Sequence, residues 1–425
     1  MRDFFLIFLL LTGWAAESKA QTSLNQCLEM ARLNYPLIQR YDLIRRGAEY
    51  TVANVKKGWL PQVQLSAQGS IQNRAAQFPE QMKTLLSMSG YSIQGMPKEQ
   101  YRLQMEVTQT LWDGQRMARG ADVARREASV EAAQNEVGLY QVQLRVRDLF
   151  FALLLVDERI RLNLDLQQLL QSNEDRLERM LRRGVAMQSD VDQVRVERLG
   201  AVQTGDELLS LRRATGKMLA LFCGVAQIDS LEKPPLPIEE DAGKTVRPEL
   251  ALIDRRLRLA DAQERSLRSQ LLPTLGLFAQ GYYGRPGFNL FDDMTRRRPS
   301  FNALLGVRLS WSIGSAYTLR NNLRRIEVQR AEAENARQIF FFNNQLEQTQ
   351  YRERIEARRR WMQTDDEILA LRTRVRRAAE AQLLHGTIDI HRLLQEITRE
   401  NTARIARSTH EIEWLQAQYE LEMSR

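Results

Sequence analysis

Three histidines, His385, His391 and His410, and two cysteines, Cys27 and Cys223, are the side chains of this 425-residue chain best suited to ligating a metal or attacking an electrophile. Their spacing supports neither chemistry. His385 and His391 are six residues apart, which does not suit one face of a helix. No Cys/His cluster suggests a metal centre. The phosphate-cradling pattern G-x-x-x-x-G-K never occurs, and no serine sits in a G-x-S-x-G elbow. We therefore expect no enzyme, no cofactor and no bound metal. Cys27 follows Leu24, Asn25 and Gln26, which lack the small pair of a lipidation signal, and it lies inside the helical phrase LNQCLEMARL. Lipidation is not expected. In an oxidising compartment Cys27 and Cys223 could pair, but two cysteines alone do not imply a disulfide.

The remaining chemistry is charge. The chain carries 61 basic and 53 acidic residues, a formal net charge of +8. The basic residues are spread along helical phrases beside acidic ones, as in EDRLERMLRR, rather than gathered on one face or tail. That is a solvated surface, so a nucleic-acid partner is not expected. The long apolar run stands at the start, MRDFFLIFLLLTGWAAESKAQ. A positive Arg2, an apolar core and the small-residue site Ser18-Lys19-Ala20 predict a secretory signal peptide over 1–20. The mature chain would begin at Gln21, outside the cytoplasm.

Two phrases stand out against the charged background: GWLPQVQLSAQGS at 58–70 and SQLLPTLGLFAQGYY at 269–283. Each alternates apolar and polar residues after a Leu-Pro pair, the period of an amphipathic strand. YRLQMEVTQ and FNALLGVRLSW alternate in the same way. The polar set is Gln62, Gln64, Gln68, Arg102, Gln104, Glu106 and Arg308. The apolar set includes Val63, Leu65, Leu103, Met105, Val107, Val307 and Leu309. A sheet packed on a soluble core alternates like this. So does a transmembrane barrel with lipid outside and water inside.

The strands belong to a tandem repeat. Pro36 and Pro248, Leu60-Pro61 and Leu272-Pro273, and Ala67-Gln68-Gly69 and Ala279-Gln280-Gly281 are all 212 residues apart. Later anchors, Gln109 with Trp311 and Gly184 with Gly386, are 202 apart. The first copy thus has ten more residues between its strands, and a surface loop within 72–100 is the expected place for them. After each pair of strands proline disappears, and one glycine, Gly386, occurs from Ser315 onward. Such sequence is strongly helical. Leu149, Leu153, Val156 and Ile160 have the spacing of a coiled-coil seam. Gly184 and Gly386 are placed to end the long helices and reverse the chain.

The expected organisation is a first module over 21–232, with helix 22–57, strands 60–72 and 101–111, long helix 115–183 and return helix 188–223. An irregular connector, 233–247, follows. The second module, 248–425, has helix 248–270, strands 272–284 and 301–313, long helix 316–384 and return helix 388–424. The fold class is mainly α with a membrane β-barrel portion, a β-hairpin and a long antiparallel helical hairpin repeated twice. Four strands cannot close a barrel, because the smallest spanning barrels use about eight, and lipid leaves no strand edge unpaired. Several chains would have to share one barrel.

In this arrangement the sequence resembles the outer membrane efflux proteins, typified by TolC. The resemblance covers nearly all of the mature chain. It rests on LNQCLEMARLNYPLI, the two Leu-Pro strand phrases, TLWDGQ, RRGVAMQSDV, RPEL and LSWSIGS, in duplicated order. It implies a homotrimer with a twelve-stranded barrel in the lipid of a Gram-negative outer membrane, four strands per chain, above a periplasmic helical tunnel. It also implies a periplasmic adaptor protein and an inner-membrane transporter as partners. The adaptor would dock at tips formed by Arg183, Gly184, Val185 and Ala186, and by His385, Gly386, Thr387 and Ile388. The polar strand residues would line the barrel lumen. A periplasmic pore constriction would involve Asp190, with Arg392 at the equivalent place in the second module and Asp389 three residues earlier. The family often has an acidic residue at both places, so Arg392 departs from it and suggests a mixed Asp/Arg ring. The competing reading is a structural periplasmic coiled-coil rod. It accounts for the helices but not for strands with continuous apolar faces.

Overall fold

Proline sets the first break in the chain. Pro36 has no N–H to give a helix and drives Tyr35 into an extended conformation. The helix expected over 22–57 is therefore two helices, α1 (Leu24–Asn34) and α2 (Leu37–Lys56), followed by a single 3-10 turn. Ser23 and Gln26 cap α1 reciprocally, each side chain bonding the other's backbone N–H. The structure is a computed structural model, and it describes residues 21–93, 95–237 and 247–425. The expected signal peptide and most of the connector lie outside the described residues.

The elements then run β1 (Gln62–Ile71), α3 (Glu80–Met88), β2 (Glu99–Trp112), α4 (Arg116–Arg182) and α5 (Gln188–Cys223). The second copy runs α6 (Pro248–Ser269), β3 (Thr274–Arg285), α7 (Leu290–Arg296), β4 (Ser300–Ser310), α8 (Ser315–Leu384) and α9 (Ile390–Met423). The loop that holds the ten extra residues contains α3, and its shorter counterpart contains α7. Among the described residues no helix is long and apolar enough to cross a membrane.

Packing cuts across the repeat, because each compact unit takes parts from both copies. One unit is Met1–Arg40, Gln134–Leu250 and Gln338–Arg425; the other is Tyr41–Ala133 and Ala251–Arg337. The first unit has two main cores. One gathers Leu24, Cys27 and Ala31 of α1, Val146, Phe150, Phe151 and Leu153 of α4, Leu219 and Cys223 of α5, and Ile412 and Leu415 of α9. The other, toward the helix ends, gathers Leu170 and Leu177 with Val191 and Val194, and Ala379 with Ile390, Leu393 and Ile397. Along α4 the buried positions Val146, Phe150, Leu153 and Val156 step by three and four, the seam of an antiparallel helix pair.

The second unit holds one antiparallel sheet in the order β1-β2-β3-β4, with the helix segments that lead into it. Arg330 of α8 bonds Asp261 and Glu264 of α6 at 2.7 and 2.6 Å, which fixes α6 along α8.

Candidate functional site

The sheet brings the alternating residues of four strands into two continuous faces. Register places Leu65 opposite Met105, Met105 opposite Gly281, and Gly281 opposite Ala303. The next row on the same face is Val63, Val107, Ala279 and Leu305, and another is Ala67, Leu103, Tyr283 and Phe301. This apolar face is open: Phe301, Leu305 and Leu309 are 73, 75 and 68% exposed. The opposite face carries the polar set. Arg102 stacks its guanidinium 4.2 Å from the Tyr282 ring centroid, and Arg308 lies 3.5 Å from Glu106 and 4.6 Å from the Phe278 ring. Gln104 reaches Glu106 at 3.5 Å. The sequence assignments of Gln62, Gln64, Gln68, Arg102, Gln104, Glu106 and Arg308 to one side agree with this register. Aromatic residues mark both ends of the sheet. Trp59, Trp112 and Trp311 lie at the end joined to the helices, and Tyr101, Tyr283 and Phe301 toward the loops, all of them exposed. Neither β1 nor β4 has a second partner strand among the described residues, so both edges are open.

The turns that follow α4 and α8 are built alike. Gly184 and Gly386 have φ of +75° and +67°, the left-handed conformation glycine adopts without a Cβ clash. Each turn closes with the same two bonds. Val185 N–H donates to Met180 and Gly184 N–H to Leu181; Thr387 N–H donates to Gln382 and Gly386 N–H to Leu383. This doubly bonded cap satisfies carbonyls that the helix end would leave bare. Arg183, Gly184, Val185, His385, Gly386 and Thr387 are exposed, while Ala186 and Ile388 fold inward against the helix-end core.

The residues expected at a constriction have local partners. Asp190 Oδ2 accepts the Met187 N–H at 2.9 Å, and Asp389 Oδ1 accepts the Arg392 N–H at 2.9 Å. Both carboxylates thus cap return helices, where the N-terminal dipole favours negative charge. The Arg392 guanidinium reaches Glu396, one turn along its own helix, at 3.1 Å. Within one chain, then, Asp190 and Arg392 bond their own neighbourhoods rather than each other.

Sequence reasoning missed a pair of buried ion clusters behind these tips. Glu174, 3% exposed, accepts from Arg195 Nε and Arg198 Nε, both at 2.6 Å. In the second copy Arg376 donates to Glu400 and Glu380. Glu174 and Arg376 are 202 residues apart, and so are Arg198 and Glu400. The repeat offset therefore joins one α4–α5 ion pair to one α8–α9 ion pair with the signs reversed. That offset was the available signal: it sets a glutamate against an arginine twice. Burial alone would push the Glu174 and Glu400 carboxyls up. Hydrogen bonds from Arg195 and Arg198, and from Arg404, Thr373 and Arg376, outweigh it and hold both below the ordinary value.

Among the described residues no group of three or more His, Cys, Asp or Glu side chains gathers as a metal site. His410 instead bonds Asp365 at 2.7 Å and packs on Trp361, well away from His385 and His391 in sequence.

A duplicated hairpin-and-helix chain with this sheet has counterparts among solved structures. The outer-membrane channel OprN matches with a TM-score of 0.67 at 16% identity, over 94% of this chain and 89% of OprN. The fold is that of the outer-membrane channels. The outer membrane protein VceC of Vibrio cholerae matches at 0.66 and 13% identity, over 94% of this chain and 95% of VceC. The Campylobacter jejuni CmeC outer membrane channel matches at 0.67 and 12%, over 94% and 85%. No protein-family model matches the sequence, and no curated protein matches it. The similarity thus lies in the architecture, at identities where side chains are largely replaced.

Proposed function

We propose that this chain is the outer-membrane exit duct of a tripartite efflux or type I secretion system, conducting passively what an inner-membrane pump delivers through a periplasmic adaptor. The observation that carries this reading is the sheet, with one face apolar and open, the other polar, and both edges unpaired. A soluble protein rarely leaves so large an apolar face to water. In lipid the face is satisfied but the edges are not, so neighbouring copies must complete the barrel. Three copies of four strands supply twelve.

The strand length fits a bilayer. β4, from Ser300 to Ser310, is ten steps, or about 34 Å of strand at ~3.4 Å each, and a tilt of roughly 40° foreshortens this to about 26 Å. That matches the apolar band of about 25 Å between aromatic girdles in outer-membrane barrels. A rod protein needs neither the band nor the girdles, which is the specific observation against the structural alternative.

In this reading Gln62, Gln64, Gln68, Arg102, Gln104, Glu106 and Arg308 line the lumen, and the loops holding α3 and α7 are extracellular. The exposed turns at Gly184 and Gly386 face the adaptor. Asp190, Asp389 and Arg392 narrow the periplasmic end where copies converge. Exposed ion pairs contribute only about 0–1 kcal/mol each, weak enough for a gate to release and repeated once per copy. The protein extracted from membranes is expected to give discrete conductance steps in a planar bilayer. Asp190→Asn, which keeps the cap acceptor and removes the charge, and Arg392→Ala should each raise the step size. If wild-type protein gives no steps, the channel reading fails. Steps unchanged in both variants would move the constriction elsewhere.

A further inference from the structure

The chain's two cysteines lie 196 positions apart, and the fold brings them together. Cys27 sits in α1 and Cys223 is the last residue of α5. Both are buried, at 0 and 5% exposure, among Leu24, Ala31, Val146 and Leu219. The Cys223 thiol donates to the Cys27 carbonyl oxygen at 3.7 Å, both thiols are free and buried, and the neighbouring Cys223 together with burial pushes the Cys27 thiol up. Two further attachments secure the same junction. Asn34 Nδ2 donates to the Leu221 and Phe222 carbonyls at 3.2 Å, capping the end of α5. Thr22 pairs in parallel with Leu231, through Thr22 N–H to Ser230 and Glu232 N–H to Thr22. A covalent bond here would close a loop around the whole first copy of the repeat, β-hairpin and helical hairpin included.

We propose that Cys27 and Cys223 are joined by a disulfide in the exported protein. The oxidant is a thiol–disulfide exchange partner, either an oxidoreductase or a small-molecule disulfide, of the kind oxidising compartments hold. One cysteine thiolate attacks the partner's disulfide, which breaks that S–S bond and forms a mixed disulfide. The second cysteine thiolate then attacks the sulfur of the first and displaces the partner as a thiolate. The cysteines lose two electrons and two protons in total, and the partner leaves reduced. Both sulfurs are covered once α1 docks, so exchange belongs to the stage before docking, and burial afterwards shields the bond from reductants. Thiol–thiol proximity across so long a loop is where a cross-link restricts the unfolded chain most.

The proposal rests on export and not on channel activity. Protein recovered from the cell envelope, denatured without reductant in the presence of a maleimide, is expected to label at neither cysteine. After reduction it should label at both, and its migration on a denaturing gel should slow as the closed loop opens. Cys27→Ser and Cys223→Ser should each expose one labelling thiol without reductant and abolish the mobility difference. Labelling of both cysteines in unreduced wild-type protein would overturn the disulfide. The thiol result holds whether the exported chain fractionates with the outer membrane or the periplasm, so its failure is distinct from failure of the channel reading.

Discussion

Met105→Arg is expected to remove the protein from the outer membrane as an assembled oligomer. Met105 lies mid-strand in β2, between Leu65 on β1 and Gly281 on β3, and is half exposed on the apolar face. An arginine at the lipid face of a barrel costs about 2–4 kcal/mol near the bilayer midplane. Shared assembly repeats the cost in every copy, so a trimer would lose roughly three times as much as one chain. Gln104→Arg is the control. Its side chain is on the opposite face, beside Glu106, where in the proposed barrel an added cation would meet water and a carboxylate. Fractionation with heat-modifiable gel migration would separate the two: Met105→Arg should leave the membrane and Gln104→Arg should stay. Equal behaviour of the pair would show that the two faces do not differ in surroundings.

Arg376→Ala should destabilise the second helical hairpin more than Glu174→Ala destabilises the first, although the two positions are equivalent in the repeat. Removing Arg376 leaves Glu400, 3% exposed, with Arg404 and Thr373 but without its buried partner. Losing the buried charge-assisted bonds while Arg404 and Thr373 remain costs about 1.5–3 kcal/mol. Removing Glu174 leaves Arg195 paired with Glu178, and Arg195 and Arg198, 45 and 26% exposed, can turn to water. That loss is about 1 kcal/mol. Amide hydrogen exchange in α8–α9 against α4–α5 would measure the difference, and equal protection losses would refute the asymmetry. Acid should act on both hairpins together. Glu174 and Glu400 are held below their unfolded values. Their contribution is therefore present above an unfolded pKa of about 4.3 and is lost as pH falls through the lower folded values.

The strands were legible because a side chain's face on a strand depends only on parity, and parity survives any change of register between partners by whole pairs. The ends of α4 and α8 were legible because Gly184 and Gly386 are the residues that adopt a left-handed turn at little cost. The break at Pro36 was present in the sequence as well. The helical pattern on both sides of it obscured the fact that proline denies a helix the N–H and the geometry it needs. Glu80–Met88 was hidden by the glycines and prolines around it, which read as loop. The buried ion clusters could not be read from local pattern, since a glutamate in a helix looks solvated until a partner helix covers it. Asp190 and Asp389 show the reverse limit. An acidic residue just after a turn fits a pore ring and a helix cap equally, and within one chain both carboxylates make the cap bonds.

The most direct test of the account is cross-linking between the open edges of the sheet. Cysteines placed on β1 at Val63, Leu65 or Ala67 and on β4 at Ala303, Leu305 or Val307 belong to opposite edges of one chain's sheet. If copies close a barrel, β1 of one copy meets β4 of the next. A short bifunctional maleimide added to the membrane-embedded double-cysteine proteins should then yield a covalent ladder that ends at three chains. Protein that stays monomeric on the gel at every pairing, though recovered from the membrane, would contradict a barrel shared between copies.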